Sequence, residues 1–469
     1  MTRSRAFLLL IPCVMAVPVL VEAQAAGQAA LPQMLTLDQA IQYAAEHYPT
    51  VRAALEQVSA SAAGVDVAHG AYLPRLDSFW QSNRATANNV FGQVLPQGIL
   101  PALTGPVLES ASSQSVWGSA TGALFSWEPF DFGLRHATVE SAEAALTQAR
   151  AGETLTRLDV QNAVAAAFLG VLAAQRATTA AQADLDRRNV LFEAVRVLVD
   201  NQLRPGADQS RAEAERTAAR TRFIQARQAS IVAQTMLTRM LGVAGGTVTI
   251  VGEPLLARVP PADVATAAAS AHPLAQVRQA AADQSRALED VLARTDFPRV
   301  YVLSSVVARG SGAHTNGVLD GSAEGLGLDR ANWAAGVQVV FPNLFDFSTL
   351  RARKAAAAAS ARASTALYDE ALLTIANGQQ AAAALLQATR EVAANTPTQL
   401  AAARQSETQA RARYNAGLAS IIEVADAQSL LAQAEFQDEI ARVDVWRALL
   451  AAAVAQGDLA PFLNLLRKP

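Results

Sequence analysis

The stretch 48–76, YPTVRAALEQVSASAAGVDVAHGAYLPRL, returns 224 residues later without a gap as HPLAQVRQAAADQSRALEDVLARTDFPRV at 272–300. In each copy a proline opens a helix-favouring run, and the run closes on Leu73-Pro74-Arg75-Leu76 or on Phe297-Pro298-Arg299-Val300. Proline cannot continue a helix, and the residue before it is pushed towards extended backbone. Each copy therefore predicts a helix that stops and hands over to a strand. A repeat of this length settles the architecture before any local detail does.

Working outward, Phe130-Asp131-Phe132 matches Phe345-Asp346-Phe347, and Gln202-Leu203 matches Gly417-Leu418, both 215 residues apart. The spacing falls by nine, so the first copy carries nine extra residues between Arg75 and Phe130, where a loop can absorb them. Each half reads helix, strand, loop, strand, long helix, turn, helix. Thr36 is a candidate N-cap for a helix running to Gly70. Strands are expected at 75–83 and 114–127, with a polar loop at 84–113 between them. The second copy offers strands at 299–309 and 332–341 around a loop at 310–331. Along 114–127 Trp117, Ala123, Phe125 and Trp127 share one face and Gly118, Gly122 and Ser126 the other; Trp333, Ala335, Val337, Val339 and Phe341 share a face of the last strand. The organisation is thus a first repeat at 36–243, a linker at 244–260, a second repeat at 261–458 and a tail at 459–469.

The run from Phe132 to Asn201 has no proline, and its equivalent from Phe347 to Ala416 has only Pro397. Seventy helical residues extend about 105 Å, more than a globular domain needs. Leu185, Phe192 and Val199 recur every seven residues with Val195 between them. Val424, Leu431, Asp438 and Val445 alternate in the same way with Ala427, Ala434, Ala441 and Ala448. Heptads with alanine at one seam position imply closely packed coiled-coil partners. Alanine, 104 of 469 residues, adds to the helical bias.

With 38 Lys+Arg against 41 Asp+Glu the net charge is −3, so there is no basic field for a nucleic-acid backbone. Residues 1–23 read as a cleaved secretory signal, with Arg3 and Arg5 ahead of an apolar core and small residues at its end. The only cysteine, Cys13, lies in that core behind Pro12, a poor context for lipid attachment. An exported chain without cysteine has no disulfide, thiol catalysis or thiolate metal site. The histidines His47, His69, His136, His272 and His314 are scattered without metal-ligand spacing, and no G-x-S-x-G, P-loop or dinucleotide fingerprint is present. We expect no enzyme, cofactor or metal site, and read His47 and His272, each ahead of a helix-breaking proline, as structural.

No uninterrupted apolar stretch after the signal reaches the ~20 residues of a spanning helix, so any membrane segment must be made of strands. Four of the five tryptophans, Trp80, Trp117, Trp127 and Trp333, fall in the strand segments and only Trp446 on a helix. Tryptophan near strand ends marks the interfacial girdles of a membrane barrel. Four strands cannot close a barrel, and in hydrocarbon every edge must be paired, so the chain has to share a barrel with further copies. The competing reading is a periplasmic coiled-coil adaptor or scaffold that never enters the membrane. An adaptor would carry lipoyl-like or barrel domains after a single hairpin, whereas two hairpins are embedded in a twofold repeat here.

The repeat, the Pro-Arg strand starts, Phe-Asp-Phe-Gly at 130–133 and Tyr-Asn-Ala-Gly-Leu-Ala-Ser-Ile-Ile-Glu-Val-Ala-Asp-Ala-Gln at 414–428 resemble the TolC-type outer-membrane efflux proteins over about residues 36–459. That resemblance implies an α+β membrane protein: a homotrimer whose twelve-stranded barrel sits in outer-membrane lipid and continues as a helical tunnel across the periplasm. It implies a passive duct of a tripartite efflux pump or type I secretion system, completed by a periplasmic adaptor and an inner-membrane pump. The helix reversals at Leu203, Arg204, Pro205, Gly206 and at Gly417, Leu418, Ala419, Ser420 would form the periplasmic end, with the exposed apolar Leu203 and Leu418 meeting the adaptor. Glu423 and Asp426, one helical turn apart, match two acidic positions that line the narrowest point. Tyr414 and Asp208 match residues of the family's closing contacts, but its arginine position is Ala419 here.

Overall fold

The structure, a computed structural model, describes residues 34–86, 113–243, 248–256, 267–312, 314, 318–342 and 346–467. The expected signal at 1–23, most of the loop at 84–113, parts of the linker and Phe345 lie outside these residues.

Strand β1 (Met34–Leu35) leads into α1 (Leu37–His47), whose start is fixed by a reciprocal cap. The Thr36 hydroxyl accepts from the Gln39 backbone N–H at 3.4 Å, and the Gln39 side chain accepts from the Thr36 N–H at 3.0 Å. The single helix expected over 36–70 is in fact two, because the chain turns extended at Tyr48 (φ −68°, ψ 131°) and restarts as α2 (Pro49–Gly70). Pro49 sits at the first helical position, where its missing N–H costs nothing. The second copy repeats the device at His272 (φ −68°, ψ 136°) before α6 (Pro273–Ala293). His272 is structural: its Nδ1 accepts from the Leu274 N–H at 3.1 Å, and Nε2 lies 3.0 Å from the Val454 carbonyl.

Strands β2 (Arg75–Thr86), β3 (Ser115–Phe130), β5 (Arg299–Ser311) and β6 (Arg330–Val340) form one antiparallel sheet in the order β2-β3-β5-β6. Each expected strand is present and runs up to three residues longer at an end. The short β4 (Thr249–Ile250), inside the expected linker, pairs in parallel with β1. Helix α5 (Glu253–Leu256) follows it.

Four helices make the long body: α3 (Leu134–Asp200) and α4 (Gly206–Met240) in the first copy, α7 (Phe347–Asn415) and α8 (Ile421–Gln456) in the second. The 67 residues of α3 extend about 100 Å. Every one of Val424, Ala427, Leu431, Ala434, Asp438, Ala441, Val445 and Ala448 is buried, as are Phe192 and Val195. The seam accommodates Asp438 because the Thr396 hydroxyl donates to it at 2.9 Å and Arg442 at 3.0 Å. Nearby Arg188, fully buried, is held by Asp184 at 3.0 Å and Glu215 at 2.9 Å.

The main core lies where α1, α3, α8 and the final helix α9 (Ala460–Arg467) meet, around Phe168, Leu169, Trp446, Leu449 and Phe462. One 18-residue window of α3 is apolar enough by length and composition to cross a bilayer. The buried residues Val164, Ala165, Phe168, Leu169, Val171 and Leu172 of α3 belong to this core.

Strand β3 passes into α3 through an elbow at Asp131, with Phe132 (φ 53°) and Gly133 (φ 93°) in the left-handed region. Buried Asp131 accepts from the Arg135 N–H at 2.6 Å, the Arg135 side chain at 2.9 Å and the Gly133 N–H at 3.1 Å. Arg135 also stacks on Tyr72, 4.6 Å from its ring centroid. In the second copy Asp296 stands at the position equivalent to Tyr72, and Lys354 of α7 binds it at 2.8 Å. The two repeats thus brace the strand-to-helix joint with different cations.

Candidate functional site

Two regions carry the expected site residues: the faces of the sheet and the tips of the long helices. The register brings Trp80 opposite Thr121, Arg84 opposite Trp117, Trp127 opposite Val302 and Trp333 opposite Val306. Side chains alternate along a strand and directly opposed residues share a face, so all four tryptophans lie on one side of the sheet. Leu76, Phe125, Val302, Val306, Val337 and Val339 join them. The other side presents Arg75, Asp77, Gln81, Ser126, Ser305, Arg309, Asn332 and Gln338. Trp80 and Trp333 are 70% and 79% exposed in the single chain, which marks this as an apolar face without a partner. Trp117 and Trp127 sit near opposite ends of β3, whereas Trp80 and Trp333 occupy strand interiors. The outer edges of β2 and β6 have no strand partner among the described residues.

At the tips, α3 and α7 end in the same way. The Leu203 N–H bonds the Leu198 carbonyl at 2.8 Å, and the Leu418 N–H bonds the Arg413 carbonyl at 2.8 Å. Both closures need a left-handed residue just before the leucine: Gly417 (φ 76°) in one copy and Gln202 (φ 59°) in the other. Pro205 then caps α4 in extended conformation, Gly206 opens that helix, and the Ser420 hydroxyl caps α8 through the Glu423 N–H at 3.4 Å. Leu203 and Leu418 are 69% and 71% exposed. The tips are tied together by a small core of Phe192, Val195, Ala212, Tyr414, Ala419, Ile421 and Val424.

The structure gathers the expected gate residues beside this core. Tyr414 is buried, and its hydroxyl has no hydrogen-bond partner among the described residues. Burial, then the negative charge of Asp208, pushes the Tyr414 hydroxyl above its ordinary value, with Arg204 opposing. Sequence reasoning missed the role of Arg204: its guanidinium carbon lies 4.5 Å from the Tyr414 ring centroid, and Nη2 donates to the Tyr414 carbonyl at 2.9 Å. Ala419 is buried, and the cation that reaches Tyr414 comes from the first repeat. Glu423 and Asp426 are both exposed on one face at the start of α8, and Arg413 approaches Glu423 to 3.8 Å. Carboxylates in a first helical turn also suit the helix dipole, so Glu423 has a structural use of its own.

A third grouping brings one of the five histidines together with two carboxylates. His314, Asp320 and Glu324, in the loop between β5 and β6, place one ligand atom each within 4.8 Å of the others. Sequence spacing hid them because only the folded loop brings its two limbs together.

Comparison with known proteins gives this architecture its family. The outer membrane efflux protein model matches residues 40–243 and 263–457, most of the chain. The chain belongs to the outer membrane efflux protein family. None of the curated protein sequences compared with it matches. Among solved structures, the outer membrane protein VceC of Vibrio cholerae is 17% identical, with a TM-score of 0.70 over 90% of this chain and 96% of VceC. The CmeC outer membrane channel of Campylobacter jejuni is 12% identical, with a TM-score of 0.73 over 92% and 89%. The MtrE outer membrane channel of Neisseria gonorrhoeae, solved in its open state, is 18% identical, with a TM-score of 0.67 over 90% and 89%. This outer membrane efflux protein shares their fold along nearly its whole length. Family membership places it in the outer membrane and sets aside the reading as a periplasmic scaffold.

Proposed function

We propose that this outer membrane efflux protein is the passive exit duct of a tripartite pump or type I secretion system. It works as a homotrimer in which three four-stranded sheets close one twelve-stranded barrel. The reading rests above all on the sheet. Its tryptophan-bearing apolar face and its two open edges are both unfavourable for an isolated chain, and both are resolved when neighbouring copies pair edge to edge in lipid. Trp80, Trp117, Trp127 and Trp333 then face lipid, and Trp117 and Trp127 lie at the two interfaces. A duct needs no catalytic group; an inner-membrane pump supplies the energy, and a periplasmic adaptor docks on Leu203, Pro205, Gly206, Gly417 and Leu418.

At the tips, three copies bring Glu423 and Asp426 around one axis, with Tyr414, Asp208 and Arg204 behind them. A ring of up to six carboxylates attracts cations and opposes anions, less the partial neutralisation that Arg413 provides. The test is ion selectivity in planar bilayers. The wild-type duct should prefer cations, and Glu423→Gln with Asp426→Asn should lower that preference and weaken block by multivalent cations. Selectivity unchanged in the double variant would remove the ring from the mechanism.

A further inference from the structure

His314 follows β5 by three residues, while Asp320 and Glu324 lie on the limb returning towards β6. Backbone contacts hold the two limbs in register: the Asp320 N–H donates to the Gly312 carbonyl at 2.6 Å and the His314 N–H to the Val318 carbonyl at 2.9 Å. The loop is also fastened to β3, where the Gly312 N–H reaches the Trp117 carbonyl at 2.9 Å and the Ser119 hydroxyl the Leu326 carbonyl at 3.0 Å. The fit is close enough to require glycine, since a Cβ on Gly310 would lie 1.7 Å from the Gly327 carbonyl oxygen. The described residues of both limbs are thus fastened to each other and to β3. His314 and Asp320 are half-buried and Glu324 is exposed.

The donor set decides the class of ion. Two neighbouring carboxylates repel, and a dication between them removes the repulsion. Calcium and magnesium prefer all-oxygen shells, whereas an imidazole with two carboxylates suits zinc, cobalt or nickel. Ligand atoms around such an ion stand about 3.4 Å apart, and the three here already lie within 4.8 Å of one another.

We propose that His314, Asp320 and Glu324 form a divalent transition-metal site, one per chain, whose ion clips together the two limbs of the β5–β6 loop. The claim is independent of what the duct carries. It is tested by titrating the purified, detergent-solubilised protein with Zn²⁺ in a calorimeter and with Co²⁺ by visible absorption. One ion per chain is expected, with a Co²⁺ ligand-field band and no displacement by excess Ca²⁺. His314→Gln and Glu324→Gln should each weaken binding at least tenfold. His136→Gln, which removes the exposed histidine 3.4 Å from Glu140 on α3, should leave it unchanged. Absence of uptake by the wild type, equal affinity in His314→Gln, or ready displacement by Ca²⁺ would each overturn the proposal.

Discussion

Gln202 holds a left-handed backbone that its counterpart Gly417 adopts without strain. A non-glycine residue there costs about 1–2 kcal/mol, partly offset by the greater freedom glycine has in the unfolded chain. Gln202→Gly should therefore stabilise the first tip by about 0.5–1 kcal/mol, and Gly417→Ala should destabilise the second by about 1 kcal/mol, both read from thermal unfolding in detergent. At the other end of α3, burial raises the Asp131 pKa, but the hydrogen bonds from Arg135 and Gly133 more than offset this and leave it lowered. A lowered carboxyl contributes stability that is present above its unfolded value of about 3.9 and is lost as pH falls through the folded value. Asp131→Asn should cost about 2–3 kcal/mol at neutral pH and flatten that acid dependence. The Phe-Asp-Phe-Gly motif flagged this position in the sequence. Its partner was not legible, because Arg135 acquires its role only when the elbow turns it back onto Asp131 and Tyr72. The same holds for Arg204, which lies far from Tyr414 in sequence and meets it only where the two tips pack.

At the scale of elements, the alternation in β6 makes opposite predictions for adjacent residues. Val337→Arg places a charge on the tryptophan face at a cost of about 2–4 kcal/mol near the middle of a bilayer, so assembly in the outer membrane should fall. Gln338→Arg, on the polar face, should assemble as the wild type does. Equal assembly of both would show the faces to be misassigned. The strands were legible because period-two patterning survives in Trp333, Ala335, Val337 and Val339, and because Pro74 and Pro298 mark their starts. The heptad seam was legible down to Asp438, although its partner Thr396, forty-two residues earlier, was not. The missed break at Tyr48 has a simple cause: the run around it favours helix on both sides, and one Pro at a first helical position reads equally well as a start or an interruption.

At the scale of the whole molecule, the repeat carried the fold: two helix-strand-strand-helix-helix units with matched turns leave little choice but paired long helices and one shared sheet. Among the described residues of the single chain the tryptophan face is bare and the edges of β2 and β6 are open, and that incompleteness is the central physical claim. It is tested most directly by native mass spectrometry of the protein extracted in detergent and released from its micelle. A three-chain assembly should be observed, with strand content lost whenever the chains are separated. A monodisperse single chain that keeps its strands would contradict the shared barrel.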